Sequence, residues 1–253
     1  MFFDPPADGE YRVRIGDSHG HGGPAYAYRL TIRPPRPDFT VHFSPTAPAV
    51  WRGSAVPITV NVNRIDGFDG PIQVQLENVP SGFSAPPTTI SADENTTAFA
   101  FFADTLAKTP ANAPPLKLIG RAMIGGKEIR HEAVGQLPKV VEPGDLVTTT
   151  DQSEVIVRPG NEVKLHAKIE RKNGFKGRVP LDVRGLPRGV RVLDIGLNGI
   201  LITEKDDGRT FAIYAEPWVQ PQTHPFVVLA KNEGKDAEYA AKSVLLRIEP
   251  AQK

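Results

Sequence analysis

The densest grouping of chemically capable side chains is Asp17-Ser18-His19-Gly20-His21. Two imidazoles and a carboxylate on one short stretch can ligate a divalent ion, because imidazole nitrogen suits the borderline transition metals and a carboxylate adds charge. The stretch runs on through Gly22, Gly23 and Pro24. A solvated, glycine-rich loop with incidental histidines has the same composition. No metal site is therefore assigned from sequence, and Asp17, His19 and His21 stand as candidate ligands. Two acidic groupings, Asp93-Glu94 and Asp206-Asp207-Gly208, fall short of the roughly six to eight oxygens that Ca²⁺ takes. They read as turns. Trp51 and Trp218 are the only tryptophans. Exposed aromatics can form sugar platforms, but large aromatics are highly buried on average, so both are expected in a core or between domains.

Serine catalysis needs a base and an acid assembled around the hydroxyl. The serines, among them Ser44, Ser54, Ser81 and Ser243, lie mostly in turn-like contexts, and no Gly-x-Ser-x-Gly elbow occurs. A phosphate-binding glycine loop, a dinucleotide fingerprint with a following helix and a His-Glu-x-x-His helix are also absent from the sequence. Cysteine is absent, which removes disulfide frameworks and thiolate zinc sites. The expectation is a chain that is not an enzyme and carries no cofactor.

The elements that would hold these side chains are organised by an internal repeat. Asn63-Arg64-Ile65-Asp66-Gly67-Phe68-Asp69-Gly70 matches Glu170-Arg171-Lys172-Asn173-Gly174-Phe175-Lys176-Gly177 at an offset of 107. Val79-Pro80-Ser81-Gly82-Phe83 matches Leu186-Pro187-Arg188-Gly189-Val190 at the same offset. Further on, Pro115 matches Pro225 and Gly126 matches Gly234, with the small drifts that loop insertions produce. A repeat of this length is one whole sandwich domain of roughly 100 residues rather than a solenoid unit. Period-2 alternation marks strands at 56–62, 72–76 and 99–101, at 163–169, 179–183 and 211–214, and at 244–248. No segment holds a helical period for three turns. In the shared motif, Gly67, Gly70, Gly174 and Gly177 can supply positive φ for a tight crossover while Phe68 or Phe175 folds back to plug one end of the sandwich. Pro80 with Gly82, and Pro187 with Gly189, read as turns.

Composition sets the class. Hydrophobic residues make up 40% and charged residues 23%, enough apolar material for real cores. Proline at 25 and glycine at 23 follow no collagen-like period and punctuate many short strands. The net charge of +1, from 30 basic and 29 acidic residues, is not that of a nucleic-acid binder. No apolar run is long enough to span a membrane as a helix. Met1-Phe2-Phe3-Asp4-Pro5-Pro6 lacks the basic and apolar regions of a signal peptide, so any export signal is expected upstream.

Residues before Pro37 lie outside the repeat. Glu10–Asp17 and Tyr26–Ile32 alternate as two strands around the glycine-rich loop, which predicts a β-hairpin. One face carries Tyr11, Val13 and Ile15, and the other strand presents Tyr26, Tyr28, Leu30 and Ile32. A lone hairpin is marginal in water, so packing on the 37–140 domain is expected. Pro6-Ala7-Asp8-Gly9-Glu10-Tyr11-Arg12-Val13-Arg14-Ile15-Gly16-Asp17 followed by Tyr26-Ala27-Tyr28-Arg29-Leu30-Thr31-Ile32 resembles the last strands of bacterial pre-peptidase C-terminal domains. These are secreted jelly-roll-like sandwiches appended to extracellular peptidases and other exported proteins. The resemblance covers residues 1–36 only. It implies an exported parent and an accessory role, and the two repeats look like the immunoglobulin-like modules that follow such domains.

The sequence thus predicts an all-β chain: an N-terminal β-hairpin at 1–36, the tail of a truncated sandwich, then immunoglobulin-like β-sandwiches at 37–140 and 141–253. The segment 137–144, with two prolines, is expected to be a short stiff linker. The expected function is that of a non-catalytic structural or interaction module of a larger exported bacterial protein, spacing or presenting another domain. A ligand-binding accessory module for carbohydrate or a surface polymer is the alternative. Expected partners are the other domains of the parent chain and a protein or carbohydrate ligand, with no nucleic acid and no membrane span.

Overall fold

In the computed structural model, residues 3–142, 144–193, 199–235 and 237–250 are described. The chain divides into two compact units, 1–35 and 36–253. Among the described residues, the larger unit holds twenty strands. In its first half these are β1 (Asp38–Ser44), β2 (Ala49–Trp51), β3 (Ala55–Ile65), β4 (Ile72–Glu77) and β5 (Phe83–Ser84), then β6 (Thr88–Ile90), β7 (Thr96–Ala103), β8 (Lys117–Ile124), β9 (Lys127–Val134) and β10 (Lys139–Val141). In the second half they are β11 (Leu146–Thr150), β12 (Glu154–Val157), β13 (Glu162–Arg171), β14 (Val179–Arg184) and β15 (Val190–Leu193), then β16 (Ile200–Ile202), β17 (Gly208–Ala215), β18 (Gln222–Asn232), β19 (Ala237–Ala240) and β20 (Val244–Ile248). The only helical element among the described residues is a 3₁₀ turn at Glu233–Lys235.

Both halves follow one plan. One sheet of the first half runs β1-β3-β7-β5, and its counterpart runs β11-β13-β17-β15, all antiparallel. The facing sheet runs β6-β4-β8-β9 in the first half. In the second, β14 lies between β16 and β18, and β18 pairs with β19 and then β20. In each half the short second strand runs parallel to the last one, β2 with β10 and β12 with β20. Two antiparallel sheets with the first strand divided between them give the immunoglobulin-like sandwich. The fold is all-β.

Alternation builds the cores. Along β3, Ile58, Val60 and Val62 turn inward, and along β13 Leu165, Ala167 and Ile169 do the same. Burial of such side chains contributes roughly 1.5–3 kcal/mol each. Phe39, Phe99 and Phe101 anchor the first core, where Phe83 stacks on Phe101 at 5.2 Å. Phe226, Tyr239 and Leu246 lie in the second core.

Two expectations require correction. The N-terminal β-hairpin does not form: residues 10–33 contain no strand, and their backbone bonds are confined to two turns, Gly20 N–H to the Asp17 carbonyl and Tyr26 N–H to the Gly23 carbonyl. Within this unit the two stretches do not cover each other's apolar side chains. Two strands alone do not bury enough to hold a ladder, and alternation in sequence does not supply a third. The segment read as a linker is also partly structure. Lys139–Val141 forms β10, and Val140 packs on the first core, so only four residues separate β10 from β11.

Candidate functional site

The glycine-rich loop at 17–21 is a formed turn. Gly20, at φ 73°, bends the chain so that one Asp17 carboxylate oxygen accepts the His19 and His21 backbone N–H groups, each at 3.1 Å. The same oxygen lies 2.8 Å from His21 Nδ1. Bonds from the His21 backbone and ring, then from His19 and Ser18, hold the Asp17 carboxyl below its ordinary range. The two imidazoles lie 5.9 Å apart, and Tyr26 stacks parallel to His21 at 6.0 Å. One ligand atom each from Asp17, His19 and His21 fall within 4.8 Å of one another, and all three residues are exposed.

The repeated glycine motif forms a turn with a clamp behind it. Phe68 N–H bonds the Ile65 carbonyl, and Phe175 N–H bonds the Lys172 carbonyl. Both central residues have positive φ, Asp66 and Gly67 at 50° and 78°, Asn173 and Gly174 at 52° and 74°. That is a type I′ turn, for which Asp-Gly and Asn-Gly are the favoured pairs. Here it sends the chain from one sheet to the other instead of closing a hairpin. Phe68 then turns back over Gly70, whose hydrogen leaves room for the ring: a Cβ there would lie 2.8 Å from it. Phe175 sits over Gly177 in the same way, at 2.9 Å. Phe68 is buried and Phe175 half-buried. Pro80 and Pro187 each supply the carbonyl that opens the next turn, accepting from Phe83 and Val190, with Gly82 at φ 82° and Gly189 at φ 80° in its third position.

An arginine that the sequence reading did not single out organises each motif. The Arg64 guanidinium donates to the carbonyls of Gly70 and Ser91, each at 2.6 Å, and of Glu94 at 3.0 Å. Arg171 does the same to Gly177, Thr203 and Asp206, at 3.2, 2.7 and 2.7 Å. A rigid planar fork reaching three carbonyls is a task for arginine rather than lysine. The signal was present in sequence, since Arg64 and Arg171 share the offset of the glycines.

The second feature is a joint between the sandwiches. β3 and β19 pair through Ala55 and Ala240, which merges sheets of the two halves. Ala55, Ala100, Val227, Leu229 and Ala240 form a separate buried cluster there, with Phe102 packed against it. Two serines staple its rim. Ser54 Oγ donates to the Ala240 carbonyl at 3.2 Å, and Ala100 N–H donates to Ser243 Oγ at 2.9 Å. Nearby, Trp51 stacks on Tyr239 at 5.4 Å. His224 is buried with its Nε2 3.1 Å from Thr88 Oγ1 and 3.0 Å from the Thr89 carbonyl. The acidic pair Asp93-Glu94 belongs to the same joint: Glu94 accepts the Arg188 N–H at 2.7 Å, and Asp93 pairs with the Arg188 guanidinium. That bond from Arg188 lowers the Asp93 pKa. Asp207 pairs with Arg171 at 3.3 Å, and Asp206 accepts from Thr203 Oγ1 at 2.6 Å. Both acidic groupings hold loops.

Trp218 departs from the expectation of burial. It is 55% exposed, with the Arg188 guanidinium 5.7 Å from its ring centre. No described helix is long and apolar enough to cross a membrane. Ser18 Oγ lies 3.1 Å from His19 Nδ1, but the pair is exposed and Asp17 bonds the neighbouring His21 ring instead.

No family model matches the chain, and no curated protein matches it. Among solved structures it is similar to the fibronectin(III)-like modules of Clostridium thermocellum CbhA, at 17% identity over 84% of this chain and 95% of that one, with a TM-score of 0.25. A protein of unknown function from Porphyromonas gingivalis is 15% identical over 83% and 99%, with a TM-score of 0.28. Domains 4 and 5 of the S-layer protein SbsC are 11% identical over 83% and 97%, with a TM-score of 0.29. The fold assignment rests on the strand pairing described above.

Proposed function

We propose that the chain is a non-catalytic structural and interaction module of a larger exported bacterial protein, with immunoglobulin-like domains at 37–140 and 141–253 that space or present another domain. The joint supports this reading most. A spacer must hold a fixed geometry, and this pair spends its shared surface on a ladder contact, a dry alanine-rich cluster and two serine bonds. Residues 1–36 belong to the same proposal as the tail of a pre-peptidase C-terminal sandwich, supported by their sequence motif. A second reading, an accessory module for carbohydrate, is favoured by one observation: Trp218 is exposed and flanked by Arg188, an arrangement suited to a sugar face. A glycan-array screen with turnover assays on ester, peptide and glycoside substrates separates the readings. The spacer reading expects neither saturable glycan binding nor turnover. Glycan binding abolished by Trp218→Ala establishes the second reading, and turnover abolished by a point substitution contradicts both.

A further inference from the structure

We propose that Asp17, His19 and His21 form a three-ligand site for a divalent transition-metal ion, with zinc as its representative. Three observations converge on it. The donor atoms already lie within 4.8 Å of one another, although nothing in a solvated loop requires two imidazoles and a carboxylate to meet. The carboxylate is fixed by backbone N–H groups of both histidine residues, so its position costs no further ordering. His21 is fixed in turn, by the parallel Tyr26 ring and by the contact of Nδ1 with Asp17.

The donor set selects the ion. Two imidazoles and one carboxylate suit zinc, nickel and copper, whereas Ca²⁺ and Mg²⁺ take sites built from oxygen. Bonds of about 2.0–2.2 Å in a tetrahedral arrangement place donors about 3.3–3.6 Å apart. Closing the present cluster to that size asks chiefly for rotation of the exposed His19 ring, which those contacts on Asp17 and His21 do not hold. The fourth position faces solvent and takes water or a donor from a partner. Each neutral imidazole ligates through the lone pair of one ring nitrogen, and the carboxylate through an oxygen.

The experiment is calorimetric titration of the full, untagged 253-residue chain with zinc chloride. The site predicts one saturable equivalent of zinc, undiminished by excess Ca²⁺ or Mg²⁺. His19→Ala, His21→Ala and Asp17→Asn each weaken it at least about tenfold, as loss of a ligand requires. His42→Ala, a substitution of another exposed histidine, on β1, leaves it unchanged. All three ligands are exposed, so thermal unfolding of the sandwiches should be identical in every variant and serves as the folding control. Absence of saturable zinc binding up to millimolar concentration overturns the proposal. So does binding that survives unchanged in the His19→Ala/His21→Ala double variant.

Discussion

Arg64 and Arg171 show how one side chain secures a loop that the backbone cannot secure itself. After a type I′ turn the chain leaves its sheet, and the carbonyls of Gly70, Ser91 and Glu94 converge on the Arg64 guanidinium, with Ser91 also accepting the Glu94 N–H. The guanidinium gathers all three, and bonds to a charged group contribute more than neutral ones. Arg64→Ala should therefore lower stability by about 2–3 kcal/mol. Arg64→Lys should recover little of it, because an ammonium cannot span the same three acceptors. Urea denaturation of the two variants against the parent chain measures this. A cost below about 0.5 kcal/mol, ordinary for a surface substitution, would mean that water serves the carbonyls equally well. At this scale the sequence was partly legible. The Gly67, Phe68 and Gly70 pattern and its repeat stood out because few residues tolerate such geometry. The arginine did not, because a charge at a strand end has the composition of a solvated face. Asp17, His19 and His21 were legible as residue types, but their convergence depends on the turn at Gly20 and was not.

Strands were the most readable elements. Each stretch chosen by period-2 alternation lies within a strand of the larger unit, from β3 to β20. The same alternation failed at 10–32, where the pattern is just as regular. Alternation reports that a strand would present an apolar face, not that a partner exists to cover it, and a two-stranded ladder does not stand without one. The joint was not legible at all. Its residues are mostly small, and alanine at a strand position reads as ordinary core. Gly185 gives it a sharp test. The residue sits at φ 83°, and a Cβ there would come within 2.2 Å of the Ala98 carbonyl oxygen on β7, in the other sandwich. Neither the conformation nor the space accepts a side chain. Gly185→Val should therefore part the sandwiches while leaving each fold intact. Hydrogen exchange should speed up at Ala100 and Ala240, whose environment is the joint, and stay slow at Val60 and Leu165, which face separate cores. Uniform acceleration across both cores would mean that the two halves unfold as one unit.

For the larger unit as a whole, the repeat is symmetric in fold and asymmetric in surface. β18 and β19 bring Val227, Leu229 and Ala240 to the joint. At the matching positions of β8 and β9 stand Lys117, Ile119 and Glu132, with Lys117 and Glu132 ion-paired at 3.2 Å. On the receiving side, Ala55 corresponds to Glu162 and Pro57 to Lys164. A head-to-tail contact repeated through identical surfaces would continue without limit, and here the matching positions carry charges instead of the apolar side chains of the joint. The asymmetry distinguishes the surface used at the joint from its counterpart on the other sandwich. The most direct measurement is the distance distribution between spin labels in the two sandwiches. The chain has no cysteine, so Met123→Cys on β8 and Glu204→Cys after β16 can be labelled without background. Both positions are exposed. The account predicts a single narrow distribution that broadens when Gly185→Val is added. A broad distribution in the parent frame, unchanged by Gly185→Val, would show two tethered domains moving independently and would contradict it.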